Sequence, residues 1–211
     1  MRKYLLVEGI TDIAFVKYIC FQKGITNNFD DFRKSKNQYI FDDLVLINLD
    51  GQSNLEKELV YLKDEEIEIY QIGIIQDADD DFEKSIKSIK DAIDKSKIDN
   101  NKIEYFLTPN DKDLGDLETM LLSTIPDNNI VKCFEPYKKC LQSNNEIYEK
   151  ALNKGQVHAY TMYSQAGKDL HKPHNSFMYK FEGKYIDTKL WDLNKKEFQP
   201  IISFIEDIFK D

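Results

Sequence analysis

A strand that ends in a run of carboxylates constrains the fold of this chain more than any other segment. Residues 70–77 form an apolar, β-branched run, which predicts a strand buried on both faces. A helical pattern begins directly after it, at Phe82. Since a strand buried on both faces needs helices above and below it, this segment predicts a layered α/β fold.

The rest of the N-terminal half repeats the alternation of strand and helix. Apolar runs typical of strands lie at 4–7, 44–49, 70–77 and 103–107. Helical spacing follows the first three of them, at 13–20, 55–62 and 82–93. Residues 26–41 are polar and are expected to form an irregular loop. This order predicts a mostly parallel four-stranded sheet flanked by helices, because parallel crossovers need helices.

The C-terminal half has a different period. Beyond Pro109 the apolar spacing becomes helical, in segments around 117–125, 129–152, 156–165 and 198–209. We therefore expect two parts, an α/β core over 1–125 and a mainly helical extension over 126–211. The extension is expected to pack on the core, so that both parts form a single compact unit.

Composition narrows the class of protein. With 41 % hydrophobic residues, 13 Phe and 12 Tyr, the chain is expected to fold rather than to be disordered. No apolar run approaches the roughly 18 residues of a membrane span, so we expect neither a span nor a secretory signal. Three cysteines without CxxC spacing are typical of reduced thiols, which favours a cytoplasmic protein. The net charge of −9 argues against broad nonspecific attraction to nucleic acid, but an acidic metal site contributes to that total.

Acidic residues follow two of the predicted strands. Glu8 follows the first strand, and Asp77 and Asp79 follow the third. The carboxyl ends of parallel strands meet at one edge of a sheet, so these side chains are expected to converge. If the backbone stays extended, Asp77 and Asp79 leave on the same side, and a hard cation such as Mg²⁺ relieves their repulsion. The alternative is helix capping, which would use Asp80 or Asp81 before the helix at Phe82.

These segments resemble a known family. Val7-Glu8-Gly9-Ile10-Thr11-Asp12 and Ile74-Ile75-Gln76-Asp77-Ala78-Asp79-Asp80-Asp81 resemble the two signature motifs of Toprim domains, which occur in topoisomerases, bacterial primases and overcoming-lysogenization-defect (OLD) nucleases. Gly115-Asp116-Leu117-Glu118 is similar to the G-x-x-E segment of OLD-type nucleases. The segments 154–160 and 191–209 resemble the tail of compact Toprim-like bacterial proteins.

The resemblance implies a role for each of six carboxylates. They are Glu8 as acid–base residue or metal ligand, Asp12 as a further ligand, Asp77 and Asp79 as the DxD ligands, Asp81 as an outer-shell helper and Glu118 at a second metal position. The implied cofactor is Mg²⁺ or Mn²⁺, as one or two ions. OLD-type enzymes also place a lysine near the scissile phosphate, for which Lys154 and then Lys168 are the candidates. The alternative for both lysines is an ordinary solvated surface charge.

The resemblance implies a nuclease that acts on DNA or RNA, in phage defence or repair. The chain has no P-loop, so any ATPase or other defence-system partner would be a separate chain. The sequence leaves open whether the chain forms a homodimer. A second interpretation is a DxD phosphatase of the haloacid-dehalogenase type, although that family places its DxD near the N-terminus. A third is a non-catalytic Toprim-like module that binds metal or nucleic acid.

Overall fold

The computed structural model describes residues 1–28, 31–65, 68–125, 129–142, 149–164 and 191–209. Its strands are β1 (Arg2–Val7), β2 (Arg33–Ser35), β3 (Gln38–Phe41), β4 (Leu44–Asn48), β5 (Ile69–Asp77) and β6 (Ile103–Thr108). Its helices are α1 (Ile10–Gln22), α2 (Leu55–Asp64), α3 (Phe82–Ser96), α4 (Leu117–Thr124), α5 (Asn129–Gln142), α6 (Glu149–Ser164) and α7 (Gln199–Phe209). Short 3₁₀ turns precede α2, β6 and α7.

The six strands form one mixed sheet in the order β2-β3-β4-β1-β5-β6. β4, β1, β5 and β6 are parallel, whereas β2 and β3 form an antiparallel hairpin on the outer edge of β4. The predicted α/β class is confirmed. The predicted number of strands was wrong, because the sheet has six strands rather than four.

The two additional strands lie in the segment that was expected to be an irregular loop. β2 is three residues long and wholly exposed, so it carries no apolar run from which a strand could be predicted. Lys36 adopts a left-handed conformation with φ 55° and turns the chain from β2 into β3. A hairpin at a sheet edge needs little burial, because the neighbouring strand supplies its hydrogen bonds.

Helices cover both faces of the sheet. α1, α4 and α7 contribute to one apolar core and α2 and α3 to the other. Alternate residues of β1 serve the two cores: Leu5 and Val7 point to the first, Tyr4 and Leu6 to the second. In β5, Ile75 belongs to the first core and Ile72 and Ile74 to the second, so the burial on both faces that was predicted for the strand at 70–77 is confirmed from Ile72 onwards.

The described part of the predicted extension contacts the core through two helices. α6 packs against α4 and α5, and α7 packs across β1, β5 and β6. At Gly73 in β5 an added β-carbon would lie 2.9 Å from Ile208 Cγ1, so α7 approaches the sheet closely where a side chain is missing. In the described ranges, no helix is both long and apolar enough to cross a membrane.

All three cysteines are free thiols. Cys20 is buried in α1, and this burial raises the pKa of its thiol. Cys133 and Cys140 are exposed on α5. The chain therefore combines one inert, packed thiol with two thiols on its surface.

Candidate active site

The acids of the first and third predicted strands meet at one edge of the sheet. Glu8 directly follows β1 and Asp77 ends β5, and these strands are neighbours with Val7 paired to Ile75. After β1 the chain continues towards β4, whereas after β5 it continues towards β6 on the other side. Connections that leave adjacent parallel strands in opposite directions open a crevice at their carboxyl ends. Glu8 and Asp77 therefore stand where ligands bind in sheets of this kind.

The side-chain amide of Gln52 donates to three oxygens in this crevice. Its Nε2 atom donates to Glu8 Oε2 at 3.0 Å, to Asp79 Oδ2 at 2.9 Å and to the backbone oxygen of Asp77 at 3.3 Å. Gln52 begins the 3₁₀ turn after β4, which Gly51 N anchors by donating to Glu8 O at 2.9 Å. Three oxygens from two separate chain segments thus converge on a single donor.

Asp77 links the crevice to the neighbouring strand and helix. Its Oδ1 accepts from Thr108 Oγ1 at 2.7 Å, at the end of β6, and from Leu117 N at 3.2 Å, in the first turn of α4. Its own backbone N donates to Glu8 Oε2 at 3.4 Å. These contacts hold a mostly buried carboxylate in one orientation, which is what a pre-organised ligand needs.

The DxD segment is not extended as expected. Asp79 has φ 51°, so the chain turns after Ala78 and the simple alternation of strand side chains does not apply there. Asp79 also forms a two-way backbone bridge with Gly115, with N–O distances of 2.8 and 2.9 Å. The two aspartates still reach one crevice, but through a turn that is fixed by the loop before α4.

Asp12 lies close to the same group of carboxylates. It occupies the third position of α1, where its Oδ2 accepts from Gly9 N at 2.9 Å. Gly9 is the N-cap of α1. Burial raises the pKa of the Asp12 carboxyl well above 3.8, and the charges of Asp77, Glu8 and Glu118 raise this pKa further.

The two remaining predicted carboxylates have different surroundings. Asp81 is exposed and caps α3 by accepting from Lys84 N at 3.0 Å, as the capping alternative predicted. Glu118 lies in the first turn of α4, is half-buried and acts electrostatically on Asp12. Glu118 is thus part of the acidic cluster, whereas the described contact of Asp81 is that of a helix cap.

A groove of about 330 Å³ adjoins the acidic cluster. It is lined by Asp79, Asp80, Leu114, Gly115, Asp116, Thr119 and Asn153. Asn153 comes from α6, and its Oδ1 accepts from Lys138 Nζ at 3.0 Å. Lys154 is exposed on α6 beside Asn153, and Lys168 lies outside the described residues. Lys138 is therefore a lysine whose side chain contacts a residue of the groove wall.

The donor set suits a hard divalent cation. Carboxylate and carbonyl oxygens are the ligands that Mg²⁺ prefers, and they already converge within 3.3 Å of Gln52 Nε2. In the described part of the chain, no three His, Cys, Asp or Glu side chains are grouped closely enough to hold a metal ion as they stand. A cation at this point would therefore have to displace the Gln52 amide nitrogen.

Three contributors to the site were not foreseen from the sequence: Gln52, Thr108 and Asn153. A signal existed for Gln52 and Thr108, since both follow or end parallel strands, as Glu8 and Asp77 do. Asn153 is brought to the site by the packing of α6 on α4, for which the local sequence gives no signal.

Comparison with known proteins adds the family. Neither the curated proteins nor the solved structures include a match to this chain. A family model covers residues 2–210, and its description is a protein of unknown function, DUF3226. Since that model spans nearly the whole sequence, the chain belongs to the DUF3226 family.

Proposed function

We propose that this protein is a divalent-metal-dependent nuclease that cleaves phosphodiester bonds with a Toprim-like acidic cluster. The observation that carries the proposal is the meeting of the Glu8 and Asp79 carboxylates and the Asp77 backbone oxygen around one point, at the carboxyl ends of adjacent parallel strands. The parallel pairing of β4, β1, β5 and β6 supports the proposal, because the Toprim resemblance implies a mostly parallel sheet.

Asp77, Asp79 and Glu8 have different roles in this proposal. Asp77 is oriented by Thr108 and Leu117, which suits it to hold a cation, and the bridge to Gly115 fixes the backbone at Asp79. Bound Mg²⁺ or Mn²⁺ would supply the positive charge that stabilises a phosphodiester under attack. Glu8 is the residue we assign to proton transfer with the attacking water or the leaving oxygen, because its carboxylate faces the same point.

The substitution Glu8→Gln tests this assignment. It keeps the side-chain volume but removes the charge and the basic oxygen, so we expect cleavage to fall by about 10² to 10⁴. Purified protein is offered single- and double-stranded DNA and RNA, and a phosphomonoester, with Mg²⁺ and Mn²⁺ in turn. Glu104→Gln, an exposed position on β6, is the matched control and should cleave as the wild type does.

The outcomes separate the alternatives. Equal cleavage by wild type and Glu8→Gln contradicts the assigned role of Glu8. Turnover of the phosphomonoester alone would identify a DxD phosphatase. Metal binding without any turnover would identify a regulatory module.

A further inference from the structure

The turn of the β2–β3 hairpin places one basic side chain, Lys36, at the carboxyl end of the parallel strands, where the acidic cluster lies. β3 runs antiparallel to β4, and Gln38 pairs with Ile47 near the carboxyl end of β4. The turn between β2 and β3 therefore lies at the carboxyl end of the parallel strands, where Glu8 follows β1. Lys36 is exposed in this turn. Lys34 and Arg33 are exposed along β2, where pairing with Tyr39 and Ile40 places them farther from the carboxyl end.

Hydrogen bonds fix the turn to the loop that forms the site. Asn37 O accepts from Asn48 N at 2.9 Å, and Asn37 Nδ2 donates to Asn48 O at 3.4 Å. Two residues later, Asp50 N donates to Asn48 Oδ1 at 3.0 Å, directly before the Gly51–Gln52 turn. The hairpin is therefore held in a defined position relative to the acids.

The hairpin is separated from β1 by two strands. With neighbouring strands about 4.8 Å apart, β2 lies roughly 14 Å from β1. For a duplex whose axis lies across the strands, that distance corresponds to about four base pairs, at about 3.4 Å of axial rise per base pair. A chain of phosphates that reaches the acidic cluster can thus also reach the hairpin.

The charges on the hairpin suit a polyanion. The described residues pair none of Arg33, Lys34 or Lys36 with a carboxylate. Lys34 Nζ and Lys17 Nζ both lie within 6 Å of the Tyr39 ring, at 5.6 and 5.7 Å. Residues 33–36 thus carry three exposed cations and no carboxylate, and the Tyr39 ring lies within cation–π range of Lys34.

We propose that this basic hairpin binds the phosphate backbone of the nucleic acid on one side of the scissile bond. The proposal rests on the proposed nuclease function and adds the surface that positions the substrate. For a duplex that lies across the strands, it also predicts a minimum length of about four base pairs on the hairpin side of the cleaved bond. Contacts of this kind fix register without reading sequence.

Lysines on an edge strand have another known use, which is to block pairing with a second sheet. Under that interpretation, their removal would promote self-association and leave nucleic-acid affinity unchanged. The two interpretations therefore predict different results for the same variant.

The test compares two triple variants in the Glu8→Gln background, in which we expect cleavage to be slow during the measurement. One carries Arg33→Ala, Lys34→Ala and Lys36→Ala. The control carries Lys63→Ala, Lys87→Ala and Lys90→Ala, which removes three exposed charges from α2 and α3. Binding of short fluorescent DNA and RNA oligonucleotides is measured with Mg²⁺ from about 50 to 200 mM salt.

We expect the hairpin variant to bind more weakly than the control, with a slope of log K against log salt that is shallower by about 2 to 3. Equal slopes for both variants overturn the proposal, and dimerisation on gel filtration with unchanged affinity replaces it with edge protection. Cleavage by the wild-type protein is measured in parallel, so that failure of the hairpin proposal is distinguished from failure of the nuclease proposal. If the wild type binds no oligonucleotide, both proposals fall.

Discussion

The Gln52 amide donates to Glu8 Oε2 at 3.0 Å and so ties the loop after β4 to the end of β1. The same nitrogen donates to Asp79 Oδ2 at 2.9 Å. A neutral donor thus moderates repulsion between two carboxylates at the place where a cation would bind. The amide and the cation compete for the same oxygens, which makes Gln52 a sensitive probe of the site.

The substitution Gln52→Leu should destabilise the metal-free protein. It keeps a similar volume but leaves Glu8 and Asp79 without this donor, so we expect the free energy of unfolding to fall by roughly 1 kcal/mol. The measurement is denaturant unfolding in EDTA. Gln71→Leu is the control, because Gln71 donates to Glu104 at 3.1 Å on the exposed sheet surface, where a change within about 0.5 kcal/mol is expected.

The same variant should respond more strongly to metal. Without the Gln52 amide nothing has to be displaced, so the rise in melting temperature on addition of Mg²⁺ should exceed that of the wild type. A smaller rise would contradict this expectation and would mean that Gln52 turns its oxygen towards the cation and becomes a ligand.

The DxD aspartates should account for metal binding. In Asp77→Asn with Asp79→Asn, the amide oxygen at 77 can still accept from Thr108 and Leu117, so the fold should be retained. The two charges are lost, and we expect the Mg²⁺-dependent rise in melting temperature to disappear. Asp91→Asn with Asp94→Asn, on the exposed side of α3, removes the same charge and should keep the response. An undiminished response in the DxD variant would place the metal elsewhere.

Asp12 should make the metal-free protein less stable as pH rises. Its pKa is raised in the folded state above the ordinary 3.8, because of burial and the neighbouring acids. The folded chain therefore binds the proton more tightly, and the resulting stabilisation is fully present below 3.8 and is lost as pH rises through the folded pKa.

Asp12→Asn mimics the protonated acid and keeps an acceptor for Gly9 N. In EDTA, the variant should be more stable than the wild type at neutral pH, and the difference should vanish towards acid pH. Urea unfolding across the pH range measures this difference. A constant difference at every pH would contradict the assigned shift in the pKa of Asp12.

The parts of the fold that depend on burial could be predicted from the sequence. The runs that became β1, β4, β5 and β6 are apolar because both of their faces are covered, and this pattern is local. The hairpin at 33–41 could not be predicted, since β2 is exposed and is stabilised by its neighbour rather than by burial.

The site was predictable to a similar degree. Glu8 and Asp77 could be brought together because both follow parallel strands. The turn at Asp79 could not, because the partner that fixes it, Gly115, is 36 positions away and reaches it by backbone hydrogen bonds alone. Such contacts are made by backbone atoms, so the sequence does not show which segment the turn at Asp79 will pair with.

The backbone bridge between Gly115 and Asp79 affects the position of the whole acidic cluster. At its φ of 135°, an added β-carbon would lie 2.9 Å from Thr119 Oγ1, the atom that donates to Asp116 at the start of α4. A methyl group there would displace the first turn of α4. That turn carries Glu118 and the Leu117 N–H group, which donates to Asp77. The arrangement of the carboxylates therefore depends on one missing carbon atom, at a position with no charge and no side chain of its own.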